Sequence, residues 1–93
     1  MIRSFKGKWS EKVFQRQKCR GLSLEVQKAA YRKLAILDAA GAVTDLRIPP
    51  GNRLEKLSGD QQGQYSIRIN DQWRICFVWR QSAAYDVEIT DYH

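Results

Sequence analysis

The side chains in this chain best suited to chemistry are two arginines, Arg68 and Arg74. They sit in the stretch QYSIRINDQWRICFVWRQSAAYDVEITDYH, which runs from Gln64 to His93. Read at period two, the stretch gives three strands. Tyr65, Ile67 and Ile69 alternate with Ser66 and Arg68. Trp73, Ile75, Phe77 and Trp79 alternate with Arg74, Cys76, Val78 and Arg80, and Tyr85, Val87 and Ile89 alternate with Asp86, Glu88 and Thr90. One face is apolar and the other mostly polar, as in an antiparallel sheet covered on one side. A three-residue loop of Asn70, Asp71 and Gln72 sets Ile69 opposite Trp73, Ile67 opposite Ile75 and Tyr65 opposite Phe77. A two-residue loop would set Ile67 against Arg74 and mix the faces, so burial selects the odd loop. Arg68 then lies across from Arg74 on the polar face. Opposed like charges destabilise a sheet. An anion between them reverses that sign, and a phosphate suits two guanidinium forks. The same pattern also results if both arginines splay into water beside Asp86 and Glu88. Either way the side chains are expected to point outward, so Arg68→Ala and Arg74→Ala should leave folding intact.

Other chemistry is sparse. The sequence has no Walker loop, GxGxxG, HExxH or GxSxG, and no cluster of metal ligands. No cofactor or metal is implied. Its one histidine, His93, is the last residue, where an unstructured tail is the usual reading. Cys19 and Cys76 are far apart and outside any metal-spaced motif, so both read as free thiols.

The 93 residues carry a net charge of +6 that is unevenly spread. Residues 1–33 hold ten Lys or Arg against Glu11 and Glu25, whereas residues 34–93 hold six against eight Asp or Glu. A basic half of this kind points to a polyanion, nucleic acid being the usual one, or else to a solvated helical face. No apolar run approaches the roughly 20 residues of a membrane span. The start, Met1-Ile2-Arg3-Ser4-Phe5, does not read as a signal peptide, and a cytoplasmic protein without membrane contact is expected.

The elements that position the arginines form one domain over residues 1–93. Ile2–Phe5 reads as a short first strand broken by Lys6-Gly7. Ser10 reads as an N-cap, with Trp9 and Phe14 at the spacing of a hydrophobic staple and Glu11 at the positive helix end. That helix is expected to end by Arg20-Gly21. In the second helix Leu22, Val26, Ala29, Ala30, Leu34 and Leu37 form one apolar stripe, with Ser23 capping the start and Gly41 the end. Lys12, Arg16, Lys18, Arg20, Lys28, Arg32 and Lys33 are then available to a phosphate backbone. Thr44-Asp45-Leu46 suggests one helical turn, and Pro49-Pro50-Gly51 signals a turn. Arg53–Ser58 reads as a strand whose Leu54 and Leu57 break alternation, and 58–63 as a loop. The fold class is α+β, with two N-terminal helices on one face of a curved, mainly antiparallel sheet of about four to five strands.

Taken together, Ile2-Arg3-Ser4-Phe5, Pro49-Pro50-Gly51-Asn52-Arg53-Leu54, Ser66 to Ile75 and the closing Val87-Glu88-Ile89-Thr90-Asp91-Tyr92-His93 resemble the HigB toxins. The likeness is to the HigB/GraT-type branch of the RelE superfamily of bacterial toxin–antitoxin systems, and it spans essentially the whole chain. It implies a RelE-like fold and a ribosome-dependent endoribonuclease that cuts mRNA in the decoding site. It also implies a HigA-like helix-turn-helix antitoxin that neutralises the toxin, through which alone operator DNA is bound. Ribosomal RNA and mRNA would be the other partners. Cutting RNA without a metal needs the 2′-OH to attack the phosphate, a base at that hydroxyl, cations on the phosphoryl oxygens and an acid at the leaving oxygen. By resemblance Arg74 and Arg68 take the phosphate, Tyr92 stacks on or orients a base, His93 is acid or base, and Asp91 orients His93 or a cation.

Departures from the family pattern fall in the strand and loop after Arg53. Many HigB toxins have a His where Glu55 stands and a Lys where Ser58 stands. Glu55 is therefore the candidate base there, Lys56 a source of charge, and Ser58 an RNA contact. Gln61 replaces a commonly basic residue, so fewer cations and slower or more selective cutting are expected. An unbroken last strand would put Tyr92 with the arginines and Asp91 and His93 on the core side, so alternation is predicted to fail near Thr90.

Overall fold

Residues 1–57 and 63–91 are described by the computed structural model. The hairpin that the alternation selects is present. Strands β2 (Gln64–Arg68) and β3 (Trp73–Arg80) pair antiparallel with Ile67 opposite Ile75, Tyr65 opposite Phe77 and Arg68 opposite Arg74. Asn70 fixes the loop: its Oδ1 accepts from the Gln72 and Trp73 amides at 2.9 and 2.8 Å, a side-chain turn that short Asn makes readily. Strand β4 (Ala83–Asp91) follows through a tight turn in which Gln81 and Ser82 have φ of 51° and 60°, the left-handed pair that matches strand twist. With β1 (Glu55–Lys56) the sheet has the order β1-β2-β3-β4, all neighbours antiparallel. The first residues add a parallel segment at the far edge through bridges from Ile2 to Ala84 and Phe5 to Val87.

Both helices lie on the apolar face. Helix α2 (Leu24–Ala39) buries Ala30, Leu34 and Leu37 against a core that includes Ile67, Ile75, Phe77 and Val87. Each of these side chains larger than Ala contributes about 1.5–3 kcal/mol by leaving water. Trp9 meets Trp73 edge-on at 5.4 Å, closing the end of the core near the hairpin loop. Ser23 caps α2 by accepting from the Val26 amide at 3.2 Å.

Several expectations about the first half are corrected. Helix α1 spans only Ser10–Phe14. Residues 15–20 offer no apolar side chain except Cys19, so a longer helix would have nothing to bury, and short helices depend on such contacts. Ser10 is the first helical residue and not the cap. Its hydroxyl is fully buried, 2.9 Å from the Lys6 carbonyl and 2.7 Å from that of Val87, and ties α1 to β4. Ser10→Ala should therefore cost roughly 1–2 kcal/mol in chemical denaturation, because the one hydroxyl proton shared by the Lys6 and Val87 carbonyls is lost from a buried site. An unchanged midpoint would mean that the tie contributes nothing. Gly41 is not a left-handed cap; α2 stops at Ala40 in an extended conformation, and the Gly41 amide instead donates to Asp45 at 3.1 Å. Among the described residues, the strand expected over Arg53–Ser58 is Glu55–Lys56, because Arg53 itself is left-handed at φ 45° and cannot extend a ladder.

In β4 the irregularity lies earlier than expected. Cys76 pairs with Glu88 but Val78 pairs with Tyr85, so one extra residue bulges, and Asp86 has φ 51°. From there the register runs unbroken through Thr90 opposite Arg74 and Asp91 opposite Trp73. Alternation thus holds through Thr90 and Asp91.

Candidate functional site

The register brings Arg68 and Arg74 side by side on the sheet face away from the helices. Glu55, opposite Ser66, and Thr90, opposite Arg74, extend the same face on either side. The two arginines differ sharply in environment. Arg68 reaches Asp71 in the hairpin loop; its side chain is 31% exposed and that of Asp71 is 99% exposed. Such a pair is held weakly and is exchangeable for another anion.

Arg74 does not point into water, which corrects the expectation of an outward side chain. It is 6% exposed. Its Nε donates to the Ser66 hydroxyl at 2.9 Å, one terminal nitrogen to the Arg53 carbonyl at 2.7 Å, and the other lies 3.5 Å from the Glu55 carboxylate. The cause is the chain around Pro49–Glu55, which folds down over this end of the sheet. Alternation says which face a residue takes, but not what later covers that face. Arg74 is consequently fixed in position, with the half-exposed Glu55 carboxylate beside it.

Two residues not singled out for this site by their sequence build its floor. Asn52 is fully buried, and its amide nitrogen donates to the Leu46 and Ile48 carbonyls at 3.2 and 3.3 Å. Its oxygen is thereby turned toward α2, where it accepts from Lys33 Nζ at 2.5 Å. Lys33, expected only to be available to a phosphate backbone, is half-buried. Burial, then the Arg32 cation, then the Arg68 guanidinium hold its ammonium pKa below the ordinary lysine range. A polar Asn following Pro-Pro-Gly was the available signal for such a corner.

The other predicted residues fall in three groups. Asp91 accepts from Gln72 Nε2 at 3.2 Å; by its pairing with Trp73 it takes the Trp73 face and not that of Arg74. Lys56 pairs with Tyr65 and is exposed. Ser58, Gln61, Tyr92 and His93 lie outside the described residues. Lys12, Arg16, Lys18, Arg20, Lys28 and Arg32 are all exposed along the two helices and the segment between them. There the Arg16 guanidinium covers the Tyr31 ring at 4.3 Å, and a groove of about 510 Å³ runs between Val13 and Leu24, rimmed by Arg16, Lys18, Lys28 and Arg32. The basic helices and the paired arginines are therefore separate surfaces.

The chain is similar to known proteins in sequence and in fold. The family model described as HigB-like toxin, RelE-like toxin of type II toxin–antitoxin system HigB, matches residues 3–93. Toxin HigB-1 of Vibrio cholerae is 47% identical over 85 residues, 90% of each chain. Endoribonuclease HigB of Proteus vulgaris is 30% identical over 93 residues, the full length of both. Among solved structures, a chain of the YoeB-YefM complex from Staphylococcus aureus matches with a TM-score of 0.58 and 19% identity, covering 100% of this chain and 98% of that one, a likeness of fold.

Proposed function

Because the chain belongs to the HigB-like toxins, the RelE-like toxins of type II toxin–antitoxin systems, we propose that it is an endoribonuclease that cuts mRNA on the ribosome and so stops translation. The observation that carries this reading is the cross-strand pair Arg68 and Arg74, with the Glu55 carboxylate 3.5 Å from Arg74. Preorganised cations at the position where charge develops are the main device available to a phosphoryl-transfer site of this size. Arg74, already locked, receives the scissile phosphate and stabilises its extra charge as the 2′-oxygen attacks. Arg68 exchanges Asp71 for the same phosphate. Glu55 is positioned to take the 2′-proton, and by family likeness His93 protonates the leaving 5′-oxygen while Tyr92 orients a base. By the same likeness Asp91 orients His93 or a cation, from the Trp73 side of the sheet edge where it accepts from Gln72.

The exposed cations Lys12, Arg16, Lys18, Arg20, Lys28 and Arg32, with Lys56 and Ser58 nearer the site, hold the ribosomal RNA or mRNA backbone. The protein acts in the cytoplasm. Its antitoxin is a HigA-like helix-turn-helix protein, through which the pair reaches operator DNA.

Primer extension on mRNA in a translating extract, run beside naked RNA, tests the reading. Cuts that need ribosomes and weaken in Arg68→Ala support it. Growth arrest with salt-sensitive RNA binding but no cuts under any condition would replace it with an RNA-binding inhibitor that performs no chemistry.

A further inference from the structure

Residues Asn52 and Arg53 hold two cations at once. The Asn52 side chain accepts from Lys33 on α2, and the Arg53 carbonyl accepts from Arg74 on β3. Asn52 has no freedom to turn away, because its amide nitrogen is engaged by two backbone carbonyls. What holds Lys33 is therefore a neutral oxygen. Among the described residues no carboxylate pairs with it. Its charge is left unbalanced by any carboxylate, and burial, then the Arg32 and Arg68 cations, depress its pKa. A neutral acceptor orients an ammonium group without cancelling its charge, and an ammonium poised beside a guanidinium gains most from a shared anion.

We propose that Lys33 is a third cation of the RNA site, binding a phosphate of the same strand that Arg68 and Arg74 engage. This deepens the endoribonuclease reading and rests on it. It also answers a question raised by the sequence, in which Ser58 and Gln61 leave the loop after β1 short of positive charge. The missing cation comes from the side of α2, a distant segment that Asn52 brings to the site. The ligand class is a single-stranded RNA backbone, and Lys33 is a binding residue that makes no covalent step.

Two substitutions separate charge from scaffolding. Lys33→Arg keeps the cation; Lys33→Gln keeps an amide donor for Asn52 but loses the charge. Binding of a short 2′-O-methylated single-stranded RNA is measured against salt, and mRNA cutting is measured on ribosomes. For Lys33→Gln the slope of log affinity against log salt should shrink by about 0.7, the share of one phosphate contact. Cutting should fall about tenfold, with an unchanged melting temperature, while Lys33→Arg stays near wild type in both. Wild-type slope and cutting in Lys33→Gln would overturn the inference. So would equal losses in both variants together with lowered melting temperatures, which would make Lys33 a support for the corner alone. If the wild-type protein cuts nothing, the nuclease reading fails, and the salt slope still decides whether Lys33 meets RNA.

Discussion

Arg74→Ala should lose both activity and stability. On the chemical side it removes a cation proposed to meet the phosphate and fixed before RNA arrives, and loss of a preorganised donor of this kind costs about a hundred- to a thousandfold in rate. On the structural side it strips partners from the fully buried Ser66 hydroxyl and from the Arg53 carbonyl. Leaving such groups unpaired costs roughly 2–4 kcal/mol in all. For a domain of this size that is on the order of 10–20 °C in melting temperature. Thermal unfolding and ribosome-dependent cutting measured on the same preparation check both halves. Arg74→Lys should fall between, because a point charge cannot bridge Ser66 and Arg53 as a planar fork does. A fully stable Arg74→Ala would mean that the sheet does not need its buried hydrogen bonds.

Arg68→Ala should separate the two effects. Its partner Asp71 is almost wholly exposed, and pairs of that kind contribute little to folding. The melting temperature should match wild type, while cutting falls about ten- to a hundredfold because one of two cations on the phosphate is gone. Melting curves and cutting rates from parallel samples check it. A stability loss as large as that of Arg74→Ala would mean that Arg68 serves the hairpin and not RNA.

The contrast between these two arginines shows what the sequence could and could not convey. Alternation along 64–80, with the loop Asn70-Asp71-Gln72, was enough to oppose Arg68 and Arg74, since a two-residue loop would set a charge against Ile67. The α2 stripe and its Ser23 cap were legible for the same reason: periodicity and local capping chemistry are written in neighbouring residues. Burial of Arg74 was not legible, because the cover comes from Asn52–Glu55, some twenty residues upstream. Lys33 was read as an exposed helical cation for want of any local sign that Asn52 would reach it. Ser10 looked like a cap because Ser commonly is one; the nearby Lys6 and Val87 carbonyls claimed its hydroxyl instead. The bulge at Asp86 was missed because a left-handed Asp carries little local signature, and it keeps Val87 and Ile89 in the core without any break at Thr90.

The separation of surfaces also bears on how the molecule works. The basic helical groove and the arginine face are built by different elements, so the proposed docking on RNA and the proposed grip on its phosphate should be separable by substitution.

The central claim, that Arg68 and Arg74 hold one phosphate between them, is tested most directly by a double-mutant cycle on cutting rates. Wild type, Arg68→Ala, Arg74→Lys and the double variant are compared at saturating ribosomes. The account expects the double variant to lose less than the product of the single losses, a coupling of about 0.5–3 kcal/mol between groups that share a ligand. Losses that simply multiply would contradict it, because two side chains acting on one phosphate cannot be energetically independent.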